Sequence, residues 1–221
     1  MARHWSPDPV FTVLFVCTGN ICRSALAERL GRAYLDEALG DEAAAIRLVS
    51  AGTQAVVDAG VHPDTAMVLA GFGGDPDGHR ARQLVDDMAI DADLTLALTR
   101  QHRRMVLKAA PRALARTFTL REAADLVTLV GDDVDLPGDT LAERCRALVK
   151  QLAANRSRRG RNAVDDIPDP IGETIDVQQQ VGDLIAASLV PVLDRLVSLR
   201  PTKAPEVDGS RPRPSRLHLA S

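Results

Sequence analysis

The order of elements in this chain predicts an α/β fold of the doubly wound kind, a parallel sheet with helices on both faces. Three observations carry the prediction. Short β-branched or aliphatic runs alternate with segments whose apolar residues recur at helical spacing, the pattern of βαβ units. The first of those runs, Phe11 to Val16, is apolar everywhere except Thr12, as a strand buried on both faces must be. The composition, 45% hydrophobic and 26% charged over 221 residues, is that of a globular chain long enough for one real core.

The elements follow in order. Phe11 to Val16 reads as the first strand and runs into Cys17-Thr18-Gly19-Asn20, a turn-forming cluster. Ser24 to Ala38 reads as a helix on the spacing of Leu26, Leu30, Ala33 and Tyr34. Ala45 to Ala51 is the second strand, and Asp64 to Ala70 a helix ended by Gly71, Gly73 and Gly74. Asp75 to Arg82 is loop. Asp93 to Thr99 is the third strand, Arg100 to Ala109 a helix stopped before Pro111, and Arg116 to Leu120 a short fourth strand. Thr140 to Ala153 is a helix with Leu141, Cys145, Leu148 and Leu152 on one face. Thr174 to Leu199 is a long last helix that Pro191 is expected to kink. One domain over residues 10–199 is therefore expected, between a loose lead-in at 1–9 and a Pro-, Ser- and Arg-rich disordered tail at 200–221. Arg156, Arg158, Arg159 and Arg161 read as a solvated basic loop, with attraction of an acidic substrate as the alternative.

Composition narrows the function classes. Aromatic residues are 3% of the chain, with one Trp and one Tyr, too few for the stacking platforms of a nucleic-acid binder. A net charge of −3 leaves no electrostatic footprint for DNA or a membrane surface. The apolar run near the start, Phe11 to Val16, is too short for a membrane span or a signal core. Three cysteines, an odd and sparse number, point to a reducing compartment, and a cytoplasmic protein is expected.

Ligands of open α/β sheets bind beyond the carboxyl ends of the strands, and the first such end is Cys17. Cys17-Thr18-Gly19-Asn20-Ile21-Cys22-Arg23-Ser24 joins the first strand to the first helix. Gly19 and Asn20 tolerate positive φ, so successive amides can turn inward as an anion nest. The helix N-terminus adds positive potential, and Arg23 offers a planar fork for two phosphoryl oxygens. Surroundings of this kind lower a thiol from about 8.5 by several units, and the thiolate is a nucleophile toward phosphorus. Neither Cys22 nor Cys145 has an arginine at the same offset. Cys145, on an apolar helical face, reads as core. Cys22 is either a small buried residue or the partner of a reversible disulfide that shields Cys17 from overoxidation.

The string Val16-Cys-Thr-Gly-Asn-Ile-Cys-Arg-Ser24-Ala-Leu-Ala-Glu28 closely resembles the phosphate loop of the low-molecular-weight protein-tyrosine phosphatases. Ser50-Ala-Gly-Thr53, His79-Arg-Ala-Arg-Gln83, Asp93-Leu-Thr-Leu and Asp166-Ile-Pro-Asp169-Pro170 resemble further stretches of that family, so the likeness runs from residue 11 to 197. The resemblance implies a three-layer sandwich with a four-stranded parallel sheet and the phosphate loop after its first strand. It implies hydrolysis of a phosphotyrosine protein or a small aryl phosphate, with no metal and no cofactor. Cys17 would form a phosphocysteine. Arg23 and the amides of Thr18, Gly19, Asn20, Ile21, Cys22 and Arg23 would hold the phosphoryl oxygens. Asp169 would protonate the leaving oxygen and then activate water. Ser24 would donate to the sulfur, and His79 would hold Asn20 in its unusual backbone state.

The chemistry stands on its own terms as well. A phenol of pKa near 10 leaves poorly at neutral pH without a proton donor, and Asp169 is restricted by Pro170. Asp165 and Asp166 are nearby rivals for that role, and His4, His62 and His102 read as structural or surface residues. Ile171 stands where the family has an aromatic after Asp-Pro, and Gln54-Ala-Val-Val57 where it has another aromatic wall. Protein-arginine phosphatases resemble the same pattern with a threonine in place of Ile21, which ranks phosphoarginine lower. Arsenate reductases of similar fold relay electrons through further cysteines, a role that Cys145 on a helix face does not suit. A phosphate-binding module without turnover is the remaining alternative.

Overall fold

A computed structural model describes residues 9–160 and 163–201. All of the expected lead-in except Pro9, most of the expected tail and Arg161 lie outside the described residues. Four strands form one parallel sheet: β1 (Phe11–Cys17), β2 (Ile46–Gly52), β3 (Leu94–Ala97) and β4 (Thr117–Thr119), in the order β2-β1-β3-β4. The helices are α1 (Arg23–Leu39), α2 (Pro63–Gly71), α3 (Asp86–Asp91), α4 (Arg100–Ala109), α5 (Leu120–Val130), α6 (Leu141–Ala154) and α7 (Ile175–Ser198).

The alternation of β1 explains its position. Phe11, Val13, Phe15 and Cys17 point into one core with α1, α5, α6 and α7, while Leu14 and Val16 point into a second core with Val106 of α4 and Ala89 of α3. Both faces of the strand are covered, so its near-continuous apolar run is what the middle layer of a three-layer sandwich requires. β1 lies between β2 and β3, where the strand order reverses, and the crevice at such a switch point opens at Cys17.

Several boundaries differ from expectation. Two helices, α3 and α5, are absent from the sequence reading. α3 is six residues long, too short to show a period. α5 starts directly after the three-residue β4, so Thr119 both ends a strand and caps a helix. Its signal was present: Thr119 and Glu122 form a capping box, as do Thr140 and Glu143 on α6. β3 is shorter than expected because its flanks have other duties. Asp93 accepts from the Thr12 amide (2.9 Å), and Thr99 caps α4. Helix α7 runs on through Pro191, at the cost of the ladder hydrogen bond the Ala187 carbonyl would receive. Among the described residues no helix is long and apolar enough to cross a membrane.

Candidate active site

The segment from Cys17 to Cys22 is turned inside out by its neighbours. The carbonyls of Cys17, Thr18 and Gly19 accept from the amides of Thr53, Gln54 and Val56 at 2.9, 3.0 and 3.0 Å. The carbonyl of Asn20 accepts from His79 Nε2 (2.8 Å), that of Ile21 from the His62 amide (2.8 Å) and that of Cys22 from the Leu26 amide (2.8 Å). With each carbonyl drawn outward, the peptide planes aim their N–H groups into the bowl, the arrangement that cradles an anion. The loop packs so tightly on β2 that a Cβ on Gly52 would stand 2.4 Å from the Thr18 carbonyl. Glycine in Ser50-Ala-Gly-Thr53 is therefore a requirement of close approach.

The turn pivots on Asn20, which has φ of 57° and is fully buried. Gly19, which tolerates the left-handed conformation as well, does not adopt it. A buried left-handed residue needs over-determination, and Asn20 has it. Its Oδ1 accepts from the Arg82 amide (2.9 Å), and its Nδ2 donates to Ser24 Oγ (2.9 Å) and Ser50 Oγ (2.7 Å). Ser50 in turn donates to Glu28. His79 Nε2 must carry its hydrogen, because a carbonyl only accepts, and its Nδ1 faces Glu28 at 4.0 Å. The His79 ring thus holds the Asn20 carbonyl from outside the loop.

This network continues to the sulfur. Ser24 Oγ already accepts from Asn20, so its own hydrogen is free for Cys17 Sγ, 2.9 Å away. The Asn20 amide also donates to Sγ at 3.3 Å. Both groups lie within hydrogen-bond reach of the candidate nucleophile. Cys22 is buried nearby and free, and burial is the main reason its thiol is pushed up. Cys145 is fully buried in α6, and burial raises its thiol to about 12. That thiol is core, as its helical position predicts, and is ill suited to an electron relay.

Arg23 opens α1 and is buried to 4% exposure. Its Nη1 donates to the Ile167 carbonyl (3.0 Å) and its Nη2 to Asp169 (2.5 Å). Its Nε is buried without a partner among the described residues, a donor that a phosphoryl oxygen can satisfy. Asp169 therefore reaches the bowl, whereas its rivals are engaged elsewhere: Asp165 by Arg100 and Arg159, and Asp166 by the Arg100 amide. The resulting cleft, about 200 Å³, is lined by Cys17, Ile21, Arg23, Asp169 and the aliphatic or amide walls Gln54, Val56 and Ile171. Asn20 is absent from the lining; it shapes the bowl from behind. Among the described residues no group of three or more potential metal ligands forms.

Residues 12–137 match the family model of low molecular weight phosphotyrosine protein phosphatase. The chain belongs to that family. Similar proteins include a low molecular weight protein-tyrosine-phosphatase of Streptomyces coelicolor, 39% identical over 131 residues, which are 58% of this chain and 76% of that one. A protein-arginine-phosphatase of Bacillus subtilis is 31% identical over 153 residues, 65% of this chain and 98% of the relative. The YwlE arginine phosphatase structure from Geobacillus stearothermophilus superposes with a TM-score of 0.61 at 24% identity, over 85% of this chain and 94% of that one, and attests the fold alone. As a low molecular weight phosphatase the chain is a cysteine-dependent hydrolase, and the arsenate-reductase alternative is not favoured.

The basic loop is the main correction to the sequence reading of this phosphatase. Arg156 is not solvated: it lies over the Phe118 ring, 4.0 Å from the centroid, and pairs with Glu122 at 3.2 Å. Arg159 pairs with Asp125 and Asp165. Only Arg158 of the described arginines in that run is exposed as expected. Residues given no role in the sequence reading include Glu28 and Ser50, which close the Asn20 network, and Gln178, whose Nε2 donates to the Pro170 carbonyl (2.7 Å) behind the acid loop.

His102 was also overlooked as a site neighbour. Its Nε2 is 3.0 Å from Thr18 Oγ1 and its Nδ1 is 2.9 Å from Thr99 Oγ1, so the ring braces the phosphate loop from α4. Burial, then the charge of Arg23, lowers its pKa from 6.5 to about 4. Below pH 6.5 the unfolded chain takes up a proton that the folded one resists, so the stability contributed by the neutral ring is present above pH 6.5 and is lost as pH falls toward 4. Denaturant unfolding at pH 7, 5 and 4 should show the advantage of wild type over His102→Gln shrinking by about 3 kcal/mol at most. Parallel pH profiles for the two proteins would contradict the burial argument.

Proposed function

We propose that this chain hydrolyses phosphotyrosine in proteins, or a small aryl phosphate, through a phosphocysteine on Cys17. One observation carries the reading: the Cys17 sulfur lies in a loop whose carbonyls all face outward, with Arg23 and Asp169 converging on the same cleft. The Cys17 thiolate attacks phosphorus while Arg23 and the loop amides hold the equatorial oxygens. The phosphorus–oxygen bond breaks with its electron pair on the leaving oxygen, which takes the proton of Asp169. Water then attacks the phosphocysteine, Asp169 accepts its proton, and thiolate and inorganic phosphate are released. A bound phosphoryl group competes with Asp169 for the guanidinium it holds in the free protein, and so releases the carboxyl toward the leaving oxygen. The walls Ile21, Val56 and Ile171 suit the faces of a phenyl ring. Among the described residues lining the cleft Asp169 is the only carboxylate, and it is needed for the chemistry, so no other described one is there to pair with a guanidinium. This favours phosphotyrosine over phosphoarginine. A cytoplasmic setting fits the three unpaired cysteines.

The test is Asp169→Asn measured by kcat/KM, which reports steps through departure of the leaving group. A phosphotyrosine peptide should lose on the order of 10²-fold or more, and p-nitrophenyl phosphate, whose leaving group needs less help, clearly less. Equal losses would move the acid role to another residue. Faster turnover of a phosphoarginine peptide than of the phosphotyrosine peptide by wild type would overturn the substrate reading.

A further inference from the structure

The segment carrying Asp169 is tied down upstream by residues that never enter the cleft. Asp165 is 8% exposed and sits between two arginines from different elements. Arg100, the first residue of α4, donates through Nε to Asp165 Oδ2 at 2.5 Å, and Arg159, which follows α6, donates to Asp165 Oδ1. Arg159 is itself fixed by Asp125 of α5, at 2.8 Å. Arg100 grips the same segment twice more: its amide donates to Asp166 Oδ1 (2.7 Å) and its Nη2 to the Ala163 carbonyl (2.9 Å). Ile167 is fully buried, and its amide donates to the Leu98 carbonyl (2.9 Å).

From this geometry we infer that Arg159 and Arg100, acting through Asp165, are positioning residues that aim the Asp169 carboxyl at the leaving oxygen. Burial alone would disfavour an ionised Asp165, but hydrogen bonds from Arg100 and Arg159 outweigh it and hold the carboxyl below its ordinary value. The anchor is therefore a charged pair of contacts across three elements. Its placement reaches Asp169 because the intervening chain is stiff. Pro168 and Pro170 fix their own φ angles and restrict Ile167 and Asp169 to extended backbone, so few soft torsions separate anchor from carboxyl. Gln178 holds the far end at the Pro170 carbonyl. A shift of about 1 Å at a catalytic group can cost on the order of 10²-fold in rate, and the clamp removes the freedom for such a shift.

The inference rests on Asp169 being the general acid, so its test carries that residue as a control. kcat/KM is measured for wild type, Asp169→Asn, Arg159→Gln, Arg100→Gln and Asp165→Asn, with a phosphotyrosine peptide and with p-nitrophenyl phosphate. The expected result is that Arg159→Gln and Asp165→Asn lose roughly 10- to 100-fold with the peptide and only a few-fold with p-nitrophenyl phosphate, a smaller copy of the Asp169→Asn pattern. A role confined to stability would lower the melting temperature and leave the ratio of the two substrates unmoved. If Asp169→Asn is selective and the clamp variants are not, the clamp proposal is overturned while the acid assignment stands. If Asp169→Asn is itself unselective, the acid assignment fails and takes the clamp with it. Should Arg159→Gln fail to fold, Asp165→Asn, which keeps the side-chain shape, and Arg100→Gln, at a half-exposed site, decide the matter by the same ratio.

Discussion

Replacing Cys17 by serine is expected to reduce kcat/KM with p-nitrophenyl phosphate by on the order of 10⁴-fold or more while leaving the bowl intact. The reason lies in the nucleophile. Cys17 Sγ receives the Asn20 amide at 3.3 Å and stands 2.9 Å from Ser24 Oγ in the cleft that also holds Arg23 and Asp169. Sulfur is intrinsically the stronger nucleophile; a serine hydroxyl fits the same space but attacks phosphorus poorly without a general base. The outward-facing carbonyls from Cys17 to Cys22 do not involve the side chain, so the inward amides persist in the variant. Inorganic phosphate, titrated by calorimetry, should accordingly bind Cys17→Ser with a Kd within about threefold of wild type, since ground-state contacts are retained while the covalent step is lost. Substantial residual hydrolysis would remove Cys17 as the nucleophile. Loss of phosphate binding would show that the sulfur, and not the amides, organises the loop. Phosphate binding by a wild type that turns over no phosphomonoester would instead support the non-catalytic module.

Arg23→Lys is expected to cost on the order of 10³-fold in kcat/KM, despite conserving the charge. The guanidinium does three things at once from a site only 4% exposed. Nη1 holds the Ile167 carbonyl, Nη2 holds Asp169, and Nε is left for an oxygen of the substrate. An ammonium is a single point charge without a planar fork, and cannot span the phosphoryl group and the acid loop together. Inhibition by inorganic phosphate should weaken in parallel, because the clamp also acts in the ground state. A loss below tenfold would mean that the loop amides alone carry phosphoryl recognition.

Much of this arrangement was legible in the residues, and the reason is locality. β1, the loop and the start of α1 are contiguous, and Cys17, Asn20, Arg23 and Ser24 meet within a single turn of chain. What hid from the sequence hid for definite physical reasons. Thr119 serves a strand and a helix at once, so periodicity could not separate them, although Thr119-x-x-Glu122 marks a cap. Arg156 and Arg159 belong to a run that composition reads as solvated, but Arg156 finds the buried Glu122, 34 residues away, and Arg159 pairs both with Asp125, also 34 residues away, and with the buried Asp165. His102 shows nothing on its own helix that would tie it to Thr18, which is 84 residues away.

The linear order of residues thus determined the doubly wound architecture, the strand end where chemistry occurs and the loop that performs it. Alternation along a strand, spacing along a helix and the backbone tolerance of Asn20 are all properties of neighbours in the chain. The tertiary structure alone decided that Asp169 has Arg23 as its partner, which arginines leave solvent to grip the acid loop, and how Glu28 and Ser50 close the network that locks Asn20 in place. Those outcomes depend on buried charges and donors finding partners brought close only by the packing of separate elements. An unpaired charge in the interior is costly, so the fold settles pairings that no local pattern encodes.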